Sequence, residues 1–131
     1  MSVVIDASAL VVLLLRLPGA AAVERELARD DVVAPAHIDA EVLSALARLC
    51  RHDAVDAPRA EQAIVALRRA RITRMALAPL LEGAWARRQN VSADDALYVA
   101  LATRLGCGLL TADRRLAGAP GLGVPVTVVA A

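Results

Sequence analysis

Lysine and phenylalanine are absent from this 131-residue chain, and tryptophan and tyrosine occur once each. All 15 basic residues are therefore arginine, which excludes a P-loop, a Schiff-base enzyme and any other site that needs an ammonium group. A phosphoreceiver site falls for the same reason, because its acidic cluster works with a lysine. A single Trp and a single Tyr cannot build the base-stacking platform of an RNA-recognition sheet. The core has to be packed with Leu, Val, Ile and Ala.

Cysteine is scarce as well. Cys50 and Cys107 form no CxxC pair and fit two small apolar residues in a reducing compartment. Cys50-Arg51-His52 is the only Cys/His cluster and supplies too few ligands for zinc. The apolar run Ala9 to Leu15 is too short to span a bilayer, and Asp6 upstream with no preceding basic residue opposes a secretory signal. These absences predict a soluble cytoplasmic protein with no membrane attachment. A net charge of +1 also excludes a strongly basic nucleic-acid arm and a charged disordered tail.

What is present reads as one α/β domain over residues 1–131, 58% hydrophobic. Ser2 to Ile5 is β-branched and predicts a buried strand ending at Asp6, with Ser8 available to cap a helix to about Arg16. Ala20 to Arg29 reads as a helix, Val32 to Ala34 as a strand, and Pro35 as the start of a helix through about His52. Pro58 to Arg71 predicts a helix, Ile72 to Leu77 a strand, and Pro79 to about Gln89 a helix. Ser92 opens a helix to Leu105 that Gly106 closes; Leu109 to Thr111 and Val124 to Val129 read as strands around a short helix from Arg114 to Ala117. Continuously apolar strands alternating with helices predict a mostly parallel sheet with helices on both faces.

In such a sheet ligands bind beyond the carboxyl ends of the strands, and two strands run into aspartates, Asp6 and Asp113. Either could instead be a helix N-cap. Glu41 sits about 60° from the middle of the apolar stripe Ile38, Val42, Ala45 and Leu49, half-buried by the 3.6-residue repeat, or else an edge residue whose head reaches water. Asp94 and Asp95 occupy the first turn after Ser92, where Asp95 can close a capping box and both favour the helix dipole. A buried helix that begins with two acids nonetheless brings at least one of them to the sheet rim. Carboxylates converging there repel one another unless a cation compensates, and an all-oxygen set suits Mg²⁺ or Mn²⁺.

The blocks VIDASAL at 3–9, AEVLSALARL at 40–49, DDALYVALA at 94–102 and LLTADRRLA at 109–117 resemble, in order, the PIN-domain ribonucleases, especially the VapC toxins of bacterial toxin–antitoxin pairs. The resemblance implies a PIN-like fold and an acidic metal site of Asp6, Glu41, Asp95 and Asp113, with Ser8 and Thr111 in supporting positions. The family's third block usually has an uncharged residue where this chain has Asp94, so either Asp94 or Asp95 faces the metal, with Asp95 preferred. It further implies Mg²⁺- or Mn²⁺-dependent hydrolysis of RNA leaving 5′-phosphate and 3′-hydroxyl ends, a homodimer, and a cognate antitoxin lying in an apolar groove over the acids.

RNA needs positive charge near that centre, and the arginines cluster at Arg68, Arg69, Arg71 and Arg74, at Arg87 and Arg88, and at Arg114 and Arg115. Arg114 and Arg115, just after Asp113, are the candidate phosphate contacts; the other clusters read as solvated helix faces. His37, four residues before Glu41, reads as an exposed or capping residue. The alternative function is a catalytically silent PIN-like interaction module whose acids only cap helices. A haloacid-dehalogenase-type phosphatase is disfavoured, since Ser8 stands where its second Asp is required and its lysine is missing.

Overall fold

The computed structural model describes residues 1–130. Its elements are β1 (Ser2–Ile5), α1 (Ala7–Leu14), α2 (Ala20–Leu27), β2 (Asp31–Pro35), α3 (Ile38–Arg51), α4 (Ala57–Arg69) and β3 (Thr73–Met75). A 3₁₀ turn at Ala78–Leu80 leads into α5 (Leu81–Ala86), then α6 (Ala93–Leu105), β4 (Gly108–Thr111), α7 (Arg114–Ala117) and β5 (Val126–Val128). The strands lie in the order β3-β2-β1-β4-β5, and every pairing is parallel. Right-handed crossovers put α1 to α4 on one face and α5 to α7 on the other, because the chain steps outward from β1 in opposite directions before and after β3.

Val4, Ile5, Leu109 and Leu110 of the two central strands are buried, as a parallel sheet covered on both faces requires. Helix α6 packs on β1, β2 and β4 and is buried continuously from Ala96 to Ala102, so its apolar circumference is explained by its place in the interior. Gly106 ends it with φ 64°, a left-handed residue whose N–H closes on the carbonyls of Ala102 and Thr103. Helix α3 differs: Ile38, Val42 and Leu46 are buried and the rest of its surface is not. Among the described residues no helix is long and apolar enough to cross a membrane.

Three local expectations are corrected. Asp6, not Ser8, caps α1: its backbone is extended and its carboxylate accepts the Ala9 N–H at 3.0 Å. Pro35 ends β2 rather than starting α3, because the Ala36 N–H still bonds to the Met75 carbonyl (2.8 Å) and holds the chain extended past the proline. The last strand is shorter than Val124 to Val129, since Pro125 offers a carbonyl to Leu109 N–H (2.9 Å) but has no N–H to extend the ladder.

Candidate active site

Strands β1 and β4 are neighbours, yet the chain leaves them toward opposite edges of the sheet, which opens a crevice beyond their carboxyl ends. Asp6 follows β1 directly and donates its N–H to the Leu110 carbonyl at 3.1 Å, so it lies level with Thr111. Its side chain is nearly inaccessible, at 4% exposure. One carboxylate oxygen accepts from Ala9 N–H (3.0 Å) and the Ser8 hydroxyl (2.7 Å); the other accepts the Thr111 hydroxyl. Ser8 Oγ in turn accepts Ala112 N–H (2.9 Å), and Thr111 Oγ1 accepts Asp113 N–H (2.9 Å). The two hydroxyls thus tie the end of β1 to the loop that carries Asp113.

Asp6, Glu41, Asp94, Asp95 and Asp113 line one cavity of about 810 Å³, together with Ser8, His37, Tyr98 and Ala112. Glu41 reaches it from α3, half-buried as its helical position predicts, with the side chain 27% exposed. Its Oε1 accepts the Tyr98 hydroxyl at 2.5 Å, a bond from α6 across the cavity. Burial, with the bond to Glu41 and its charge, pushes the Tyr98 phenol far above its ordinary value, so it stays protonated and donates. Tyr98 was not singled out by sequence reasoning; the signal was the chain's lone tyrosine one helical turn beyond Asp94 and Asp95.

His37 occupies the N-cap position of α3, but its side chain is not exposed and does not cap the helix. Its side chain is 12% exposed, and its backbone is helical at φ −70°, ψ −7°, with no side-chain bond to the start of α3. Instead Nε2 donates to the Asp94 carbonyl (3.1 Å) and lies 3.5 Å from Glu41 Oε1, with the ring 4.7 Å from that of Tyr98. The first turn of α6 covers it, an encounter between distant segments that local periodicity does not contain.

Electrostatically the site is unbalanced. Burial pushes the Asp6 carboxyl up; its hydrogen bonds partly offset this, and the charge of Asp95 adds to the rise. Asp95 is raised as well, first by burial and then by Asp113 and Asp94, with Ser92 and Arg115 acting in the opposite direction. The Ser92 hydroxyl accepts Asp95 N–H at 3.3 Å, but among the described residues no return bond from the Asp95 carboxylate completes a capping box. Asp95 is partly buried, whereas Asp94 is exposed. Asp113 accepts Arg115 N–H (2.9 Å) and so caps α7, while Arg115 Nε approaches it at 3.6 Å.

These acids repel one another in a cavity that holds hard oxygen donors and little compensating positive charge, which fits a divalent cation such as Mg²⁺ or Mn²⁺. Among the described residues no three His, Cys, Asp or Glu side chains converge closely enough to hold an ion as they stand.

The arginines divide by what they touch. Arg74 is committed to the fold: its guanidinium grips both oxygens of Asp39 (3.0 and 3.1 Å) and the Leu67 carbonyl (2.7 Å). Arg87 bonds the Gly83 carbonyl (2.8 Å), and Arg88 stacks over Trp85 at 4.4 Å. Arg114 and Arg115 are exposed on α7 and do not line the acidic cavity. Arg48, which belonged to none of the clusters, does line it.

The sequence pattern of the PIN domain matches residues 3–122. The chain is similar to Ribonuclease VapC3 of Mycobacterium tuberculosis, 50% identical over 118 residues covering 89% of this chain and 86% of that protein. Ribonuclease VapC9 of the same organism is 39% identical over 127 residues, 97% of this chain and 98% of its own length. Among solved structures, M. tuberculosis VapC20, described as a Sarcin-Ricin loop cleaving toxin, superposes with a TM-score of 0.67 at 21% identity, covering 88% of this chain and 92% of that one. VapBC2 from Rickettsia felis, solved bound to a DNA fragment from their promoter, gives 0.68 at 12% identity over 98% and 99%. At those identities the two structures share the fold.

Proposed function

The chain belongs to the PIN-domain family, and from that membership we propose that it is a Mg²⁺- or Mn²⁺-dependent endoribonuclease, the cytoplasmic toxin of a toxin–antitoxin pair. The supporting observation is that four carboxylates from four separate stretches of chain, Asp6, Glu41, Asp95 and Asp113, line one cavity at the switch point of a parallel sheet. Asp6, Asp95 and Asp113 would hold the cation from the strand ends and α6, with Glu41 opposite. When bound, the ion supplies a lowered pKa for coordinated water and offsets charge on the phosphate oxygens.

The chain's own contribution is placement. Ser8 and Thr111 hold both oxygens of Asp6, Tyr98 holds Glu41, and His37 fills the space between α3 and α6. Membership of the PIN-domain family supports a hydrolysis that leaves 5′-phosphate and 3′-hydroxyl ends and does not use the ribose 2′-hydroxyl as nucleophile. Arg114 and Arg115 flank Asp113 at the rim, where they can meet phosphates of the bound strand. A cognate antitoxin laid along the cavity would cover the acids, and exposed Leu81 and Trp85 of α5 are surface that a homodimer could bury.

Incubation of total RNA with the purified protein and Mg²⁺ or Mn²⁺ tests this directly. Cleavage that chelation abolishes, with 5′-phosphate ends by end mapping and none from Asp6→Asn, is the expected result; full-rate cleavage by Asp6→Asn removes the site. One observation favours the second reading, a catalytically silent interaction module: Asp6 and Asp113 both cap helices. Calorimetry decides. That module binds no Mn²⁺ and loses about 1 kcal/mol for each Asp→Ala change, the ordinary worth of a cap.

A further inference from the structure

The cavity is more than an acidic bowl. Beyond Glu41 it continues between α1 and α3, with Ser44, Arg48 and Leu49 on one wall and Val11 and Val12 on the other. Glu41, Ser44 and Arg48 recur at helical spacing, so one face of α3 runs the length of this groove. Arg48 lies seven residues past Glu41, about 10.5 Å along the axis. It is the only arginine among the lining residues, it is exposed, and among the described residues its guanidinium has no ion-pair partner.

Among the described residues this guanidinium makes no ion pair with Glu41 and no hydrogen bond to the fold, unlike Arg74 or Arg87. What the groove needs is an anchor for a polyanion: a strand brought to the carboxylates is repelled by them, and a fixed cation two helical turns away holds it without quenching the acids. An acidic peptide has no need to approach the carboxylates at all. The planar fork of arginine matches a phosphate bidentately, and the Ser44 hydroxyl one turn earlier adds a further donor.

We propose that Arg48, assisted by Ser44, binds a backbone phosphate of single-stranded RNA beside the scissile one and so positions the substrate along α3. Its place as a substrate contact rests on the nuclease function above, so the test reads binding apart from cleavage. Anisotropy of a fluorescein-labelled, mixed-sequence single-stranded RNA is measured in EDTA over a salt series for the wild type, Arg48→Ala, Arg48→Lys and Arg104→Ala, the last removing one charge from the far end of α6. Arg48→Ala is expected to raise Kd roughly tenfold at low salt and to lower the slope of log Kd against log salt by about 0.7, the share of one phosphate contact on a single strand. Arg48→Lys should restore the slope but not the full affinity. In metal-supported cleavage, Arg48→Ala should raise KM and leave kcat.

An unchanged Kd and slope, or an equal loss in Arg104→Ala, overturns the assignment. So does an Arg48→Ala defect confined to a protein inhibitor while RNA affinity is kept. RNA binding that depends on Arg48 in a protein unable to cleave would sustain the subsite and remove the nuclease; cleavage with no Arg48 effect would do the reverse.

Discussion

Asp6 and Asp113 end neighbouring parallel strands and each accepts a backbone N–H from the helix that follows, yet their surroundings differ. Asp6 is 4% exposed and takes three donors on its two oxygens; the Asp113 side chain is 26% exposed and takes one backbone donor, with an arginine nearby. The ladder explains it. Asp6 lies level with Thr111, the last residue of β4, so Asp113 stands two residues beyond the strand end, after the bend at Ala112. Capping a helix and facing a cavity are therefore not exclusive roles, and depth decides which carboxylate strains the fold.

The largest expected effect treats the two alike. Asp6→Asn and Asp113→Asn should each lower metal-dependent RNA cleavage by about a thousandfold, measured as kcat/KM. Stability should then separate them. The folded Asp6 carboxyl titrates above its unfolded value of 3.8, so the native state holds the extra proton over that window. The metal-free protein therefore loses stability as pH rises from the unfolded value through the raised one. Asp6→Asn removes that loss: its Tm above the window should equal or exceed that of the wild type, and a marked drop would show that the carboxylate's hydrogen bonds outweigh its burial.

A smaller effect is expected one contact away. Tyr98→Phe keeps the ring against His37 but frees Glu41, and should reduce kcat about 10- to 100-fold in single-turnover assays. Thr111→Val, an isosteric change at a fully buried site, leaves the Asp113 N–H and an Asp6 oxygen without their partner. It should cost about 1–3 kcal/mol in urea denaturation. Arg115→Ala on the exposed side of the comparison should leave the denaturation midpoint unchanged within error, since the arginine side chain is 93% exposed. A destabilisation as large as that of Thr111→Val would mean that Asp113 is as firmly built in as Asp6.

Much of this was legible before any coordinates. The order of strands and helices followed from β-branched runs, helical periodicity and punctuation by Pro and Gly, because these are local preferences. Ser92 and Gly106 bound α6 as expected, and Glu41 is half-buried as its offset from the stripe requires. Two of the errors were local competitions that neighbouring strands decided: the sheet ladder kept Pro35 in β2, and the strand end handed the cap of α1 to Asp6.

Type and spacing of residues along the chain were enough to determine an α/β domain with acids at its strand ends and a donor set suited to a hard cation. Only the tertiary structure decided that His37 and Tyr98 pack beside Glu41, that Arg74 serves the fold, and that Arg48 faces the groove. Periodicity tells which face of a helix is apolar, because that depends on residues three and four apart. Which polar groups meet across the sheet rim depends on how α3 and α6 sit over it, and that is settled by packing between segments some 57 residues apart.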